Sequence, residues 1–167
     1  MIRIVVPYAG ARGKTRLGDA REDLSHAMLE AVLAAANEVG ATWVVSPDPV
    51  ERATWIPDPG GGQGAAVEAA LAEIGPGPVL IVNSDLPSAT ADDLRALYDA
   101  IPEGGMAIAE ARDGTTNALG LSDTSLFAPL YGPGSAERFR AHAEQFVDVI
   151  RAGLRDDVDT PADLATA

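Results

Sequence analysis

Three aspartates and one lysine carry the chemistry that the residue types and spacing of this chain suggest. Lys14 is the only lysine among 12 basic residues, and it stands in Gly13-Lys14-Thr15. That placement asks for a compact ammonium charge beside a flexible backbone. The surrounding loop, "PYAGARGKTRLG" from Pro7 to Gly18, also holds Arg12 and Arg16. Backbone N–H groups of a glycine-rich loop can face an anion, and the three cations can add charge-assisted hydrogen bonds. The competing reading is a solvated turn. A triphosphatase phosphate loop is excluded by spacing, because it needs Gly five residues before Gly13, where Tyr8 stands.

Asp85 closes the run "PVLIVNSD", just before Leu86-Pro87. A carboxylate past the end of a strand can hold a hard cation such as Mg²⁺, which takes one or two carboxylates plus phosphate oxygens. It can equally cap a turn. Near the end the chain reads "LRDDVDTPADL". If 155–159 is extended, Asp157 and Asp159 point to one side and Asp156 to the other. Two carboxylates on one face repel unless a proton or a metal joins them. A metal pair fits Asp157 and Asp159, and a solvated acidic run is the alternative. Thr160, Pro161 and Asp163 are accounted for as the N-cap, N1 and N3 positions of a helix start.

Three further loops offer polar groups. "DPGGGQG" opens a helix near Gly62-Gln63, where the backbone of Gly61 and Gly62 and the helix N-terminus can meet an anion or a polarised base. "DGTTNALG" sets Thr116 and Asn117 ahead of an apolar strand. "YGPGSAERF" sets Gly132, Gly134 and Ser135 at a helix start, with Ser135 as the expected N-cap. The last two loops could bind a carboxylate or phosphate through hydroxyls and N–H groups, or could be turn chemistry. His26 and His142 lie among alanines and acids in predicted helices, and neither suggests a metal pair or a nucleophile triad.

The elements that must position these groups alternate. Strands are expected at 2–7, 41–46, 78–85, 105–110, 116–122 and 146–150. Helices are expected at 22–39, 63–74, 90–100 and 135–145, with a terminal helical turn from 160. Thr90 and Asp93 are placed for a capping box. This order predicts one α/β domain over 1–167, three layers in all, with helices on both faces of a mostly parallel sheet. Ligands of such folds sit beyond the carboxyl ends of the strands.

Composition narrows the function. The chain has 167 residues, no cysteine, and 25 acidic against 12 basic residues, a formal net charge of −13. The length suffices for one core, and the missing cysteines exclude disulfides and thiolate chemistry. So negative a body repels duplex nucleic acid but admits a small anion where cations are focused. No apolar run reaches a membrane span, and no signal peptide is evident. A cytoplasmic protein acting on small molecules, as a monomer or homodimer, is expected.

The loops are individually weak but their order is specific. "GKTRLG", "PGGGQGAAVEAAL", "SDLP", "TTNAL", "GPGSAERF" and "DVDTPADL" follow one another over nearly the whole chain. This series resembles the phospholactate and phosphoenolpyruvate guanylyltransferase family, nucleotidyltransferases with a Rossmann-like GT-A fold. The resemblance implies transfer of GMP from GTP to 2-phospho-L-lactate, phosphoenolpyruvate or 3-phosphoglycerate, with release of pyrophosphate, in coenzyme F-420 biosynthesis. It implies one or two Mg²⁺ ions on Asp85, Asp157 and Asp159. Lys14 and Arg16 would meet the triphosphate, and Thr116, Gly132 and Ser135 the acid's carboxylate. Two departures stand out: Tyr8-Ala9 where the family commonly has a basic residue, and Gln63-Gly64 where it often has Asn. The alternatives are a divergent nucleotidyltransferase of molybdopterin or sugar-phosphate type, and a non-catalytic nucleotide-binding domain. Retention of Asp85, Asp157, Asp159 and Lys14 together argues against the last.

Overall fold

Continuous burial of the central strands and a helix between most strands decide the architecture. The structure, a computed structural model, describes residues 1–10 and 21–158. Seven strands form one sheet: β1 (Ile2–Pro7), β2 (Gly40–Ser46), β3 (Thr54–Pro57), β4 (Val79–Val82), β5 (Met106–Glu110), β6 (Thr116–Leu121) and β7 (Phe146–Asp148). Their order across the sheet is β3-β2-β1-β4-β6-β5-β7. Six run parallel, while β6 runs against both neighbours, β4 and β5. The carboxyl ends of six strands therefore share one edge with the amino end of β6.

Neighbouring residues of a strand feed opposite faces. Ile4 and Val6 join one core cluster and Val5 the other; Leu80 and Val82 oppose Val79 and Ile81 in the same way. The first cluster packs under α1 (Arg21–Val39), α3 (Ala91–Asp99) and α5 (Ala152–Arg155), through Leu29, Leu33, Leu94, Leu97 and Leu154. The second packs under α2 (Gln63–Ile74) and α4 (Ser135–His142), through Val67, Leu71 and the fully buried Phe139. The expected three layers and mostly parallel sheet are present.

Four local expectations need correcting. Residues 54–57, read as loop, pair with β2 as the edge strand β3. The strand expected over 78–85 stops at Val82, after which Asn83 turns its side chain to other tasks. The helix after Gly134 is capped by Gly134 in the left-handed region, φ 73°, while Ser135 is inside the helix and fully buried. Of the run 155–159, the described part does not start extended: Arg155 ends α5, and the Asp156 N–H donates to the Ala152 carbonyl at 3.2 Å. The helical turn expected from 160 lies outside the described residues. The Thr90–Asp93 capping box forms as expected, the Thr90 hydroxyl accepting from the Asp93 N–H at 3.1 Å and the Asp93 carboxylate from the Thr90 N–H at 3.0 Å.

Candidate active site

The strand edge carries the site, as the sheet direction requires. A cavity of about 200 Å³ opens where the carboxyl ends of β1 and β4 meet the amino end of α2. Residues 7–10, Gly62, Gln63, Asn83 and Asp85 line it. The chain thus enters the basic loop from the cavity wall. Arg12, Lys14 and Arg16 themselves lie outside the described residues.

The glycine loop is built for close approach. Gly60, Gly61 and Gly62 have φ of 80°, 92° and 94°, a succession that other residues resist. The Asp58 carboxylate accepts from the Gly60 N–H at 2.9 Å and holds the turn. Gly62 then caps α2 without any side chain, leaving the helix start bare toward the cavity. Gly64 has a packing reason: a Cβ there would stand 2.5 Å from the Pro129 Cβ.

Gln63, at the position of departure from the resemblance, donates from Nε2 to the Asn83 Oδ1 at 2.6 Å. Asn83 in turn donates from Nδ2 to the Thr116 carbonyl at 3.1 Å, and from its N–H to the Asn117 carbonyl at 2.9 Å. Asn83 therefore couples the glycine loop to the start of β6. Sequence reasoning missed it, because an amide ending an apolar strand looks like turn chemistry until its partners are seen. It also missed Ser25 of α1, whose hydroxyl is buried beside the cavity and has no hydrogen-bond partner among the described residues.

The aspartates come together in part. Asp85 is buried, 7 % exposed, at the cavity. Its carbonyl accepts from the Val158 N–H at 3.1 Å, which lays the end of the described chain along the loop after β4. Asp157, half-buried, is thereby carried to the same strand edge as Asp85. Asp159 lies outside the described residues, and among the described residues no group of three or more His, Cys, Asp or Glu is arranged to hold a metal. The donor set of Asp85 and Asp157 still suits a hard oxygen-seeking cation, which needs only one or two carboxylates when phosphates supply the rest.

On the other side of Asp85 the polar residues of β6 and α4 are spent on one another. The Thr116 and Ser135 hydroxyls share a hydrogen bond of 2.8 Å, and both side chains are buried. Gly132 and Gly134, with φ of 119° and 73°, wrap the loop around Arg138, which donates to the carbonyls of Leu130, Pro133 and Tyr131. Asn117 is 1 % exposed and donates from Nδ2 to the carbonyls of Leu154 and Arg155, at 3.0 and 3.2 Å. So Gly62, Gln63 and Asp85 line the cavity, whereas the side chains of Thr116, Asn117 and Ser135 face protein groups.

Beyond β6 a second cleft of about 310 Å³ is lined by Arg112, Arg140 and Arg155 with Glu110 and Asp148. Arg140 is paired with Glu110, Asp148 and Glu137; the hydrogen bond to Glu110 is the main reason its charge is held more firmly than usual, and that to Asp148 adds to it. His26 is exposed near Glu30, and the His142 Nε2 lies 3.2 Å from the Leu126 carbonyl, so neither enters a site.

A cavity beside a glycine loop, with a buried carboxylate at the carboxyl edge of a mixed sheet, fits the frame of a nucleotidyltransferase. Residues 20–150 match the MobA-like NTP transferase domain. The chain is 38% identical to the phosphoenolpyruvate guanylyltransferase of Sphaerobacter thermophilus, over 87% of this chain and 79% of that one. It is 32% identical to the 2-phospho-L-lactate guanylyltransferase of Halorubrum lacusprofundi, over 98% and 82%. The fold is that of the 2-C-methyl-D-erythritol 4-phosphate cytidylyltransferase of Thermus thermophilus, with a TM-score of 0.71 at 18% identity over 98% of this chain and 95% of that one. The chain belongs to the MobA-like NTP transferases and, among them, to the phosphoenolpyruvate and 2-phospho-L-lactate guanylyltransferase family.

Proposed function

We propose that this chain transfers GMP from GTP to a small phosphorylated three-carbon acid, releasing pyrophosphate, as a step in coenzyme F-420 biosynthesis. The acceptor is 2-phospho-L-lactate, phosphoenolpyruvate or 3-phosphoglycerate. The observation that carries the reading is the likeness to two guanylyltransferases, 38% and 32% identical over most of both chains. The place of Asp85 beside the glycine loop supports it.

An oxygen of the acceptor's phosphate attacks the α-phosphorus of GTP. The new P–O bond forms as the bond to the β-phosphate bridging oxygen breaks, and that electron pair leaves with pyrophosphate. A phosphate nucleophile needs little general base, so no histidine or cysteine is called for. Both reactants are polyanions, and positioning with charge stabilisation is most of the task. Asp85 and Asp157, with Asp159 beyond the described residues, are the groups that would hold Mg²⁺. When bound, that cation neutralises charge on the phosphates as they approach. Gly61, Gly62 and the start of α2 bring N–H groups toward the nucleotide, and Gln63 and Asn83 set the polar wall beside it. Lys14, Arg12 and Arg16 are assigned to the triphosphate. Thr116, Gly132, Gly134 and Ser135 are assigned to the acceptor's carboxylate, acting by backbone groups where the hydroxyls are engaged with each other. No described helix is long and apolar enough to cross a membrane, and we infer a cytoplasmic enzyme, monomeric or dimeric.

Pyrophosphate release with GTP and Mg²⁺ tests the reading, with each acid offered separately and ATP, CTP and UTP as controls. Release that requires one acid, and GTP above the other nucleotides, is expected. Release with no acid of the panel, from folded protein, would sink the reading.

A further inference from the structure

The proposed metal site has one weak point: Asp157 belongs to a segment with little secondary structure of its own. Between β7 and Asp157 there is only α5, four residues long. So short a helix is not stable by itself. Something else must fix where Asp157 stands, and four contacts do so. Asn117 donates from Nδ2 to the carbonyls of Leu154 and Arg155, at 3.0 and 3.2 Å. These are the last two carbonyls of α5, which the helix leaves without partners of its own. On the opposite side Gly153 lies so close to the α3 cap that a Cβ would stand 2.0 Å from the Asp93 Oδ2 and 2.8 Å from the Ser88 carbonyl. Arg151 adds a 2.6 Å hydrogen bond to the other Asp93 oxygen. Three residues past α5, the Val158 N–H reaches the Asp85 carbonyl.

We infer that Asn117 is a positioning residue: it clamps the end of α5 against β6 and so holds Asp157 beside Asp85. Its side chain is 1 % exposed and both contacts are to main chain, which leaves it no face toward a substrate. Because Asn83 bonds the Asn117 carbonyl, the same strand residue registers both aspartate-bearing segments, the loop after β4 through its main chain and α5 through its side chain. This inference rests on the proposal that Asp85 and Asp157 hold the metal, but the clamp itself is separately measurable.

Two variants approach the clamp from opposite sides. Asn117→Leu keeps the volume and removes both donors. Gly153→Ala pushes α5 off α3 and touches nothing assigned to substrate. Three quantities are read on the full chain: Mn²⁺ binding by electron paramagnetic resonance in the presence of GTP, hydrogen exchange of the Val158 amide, and the acceptor KM at saturating metal. Both variants are expected to weaken Mn²⁺ binding about tenfold or more, in line with the loss of groups that orient ligands. Both should speed exchange at Val158 while leaving β1 and β4 protected, with the acceptor KM within about twofold of the parent. Asn117→Leu that raises the acceptor KM, with Mn²⁺ binding and Val158 exchange unchanged, would make Asn117 a substrate ligand and overturn the inference. Should the parent protein itself bind no Mn²⁺, the metal reading fails alone. Exchange then decides the clamp: faster exchange in both variants upholds it and unchanged exchange overturns it.

Discussion

At the scale of single residues, the site depends on what each polar side chain faces. Asp85 is the clearest case, a buried carboxylate lining the cavity where the glycine loop begins a helix. Asp85→Asn keeps the shape and removes the charge. Pyrophosphate release should fall by about a hundredfold or more, as when a preorganised charge contact is lost. Thermal unfolding should stay within about 3 °C of the parent, because a buried charge is not replaced by a cavity. A variant with near-normal rates would remove Asp85 from the metal site. Residue types alone left this position open between a cation ligand and a turn cap, and only its order among the other motifs singled it out. They could not foretell Asn83 or Ser25, whose meaning comes from partners, or lack of them, far away in the chain. The same limit explains Ser135. Its type is right for a cap, but the bond to Thr116 draws it inside and Gly134 takes the cap with a backbone only glycine adopts readily.

At the scale of elements, period and punctuation made most of the fold legible. The long helix α1 ends at its expected residue, and the Thr90-x-x-Asp93 box marks the start of α3. The direction of β6 was not legible, because a strand buried at all six residues has the same apolar sequence whichever way it runs. β3 and α5 were missed because each is only four residues long and gains its order from neighbours. The α3–α5 junction offers a pH test. Burial raises the Asp93 carboxyl, but the hydrogen bond from Arg151 and those from Thr90 outweigh it and hold it below the ordinary carboxylate range. The folded chain therefore takes up this proton less readily than the unfolded chain. The stabilisation is complete above the unfolded value, about pH 4, and is lost as pH falls through the lower folded value. Asp93→Asn should cost about 1–2 kcal/mol at pH 7, the range of a charge-assisted hydrogen bond with a half-exposed partner. Urea unfolding should find that difference smaller at pH 3. An equal cost at both values would mean that shape, not charge, holds the junction.

At the scale of the whole molecule, the charge sets the terms on which fold and site coexist. A formal −13 on 167 residues is self-repelling, and the substrates proposed for it are anions too. The described arginines are mostly committed locally: Arg52 to Glu30, Arg95 to Asp92, Arg112 to Asp156, Arg151 to Asp93, and Arg140 to three acids. Exposed pairs of this kind contribute about 0–1 kcal/mol each, and salt weakens them. The surplus acids repel over longer distances, and salt weakens that repulsion as well, since the screening length falls from about 10 Å at 0.1 M to about 3 Å at 1 M. The two effects oppose each other, and with acids outnumbering bases about two to one the repulsion should win. Melting at pH 7 should therefore rise by about 2–5 °C as NaCl is raised from roughly 0.05 to 0.5 M, equivalent to about 1 kcal/mol in a chain of this size. Near pH 4.3, where the sequence is close to charge balance, the rise should disappear. A fall with salt at pH 7 would mean that the arginine pairs, above all the Arg140 cluster tying α4 to β5 and β7, outweigh the excess of acid.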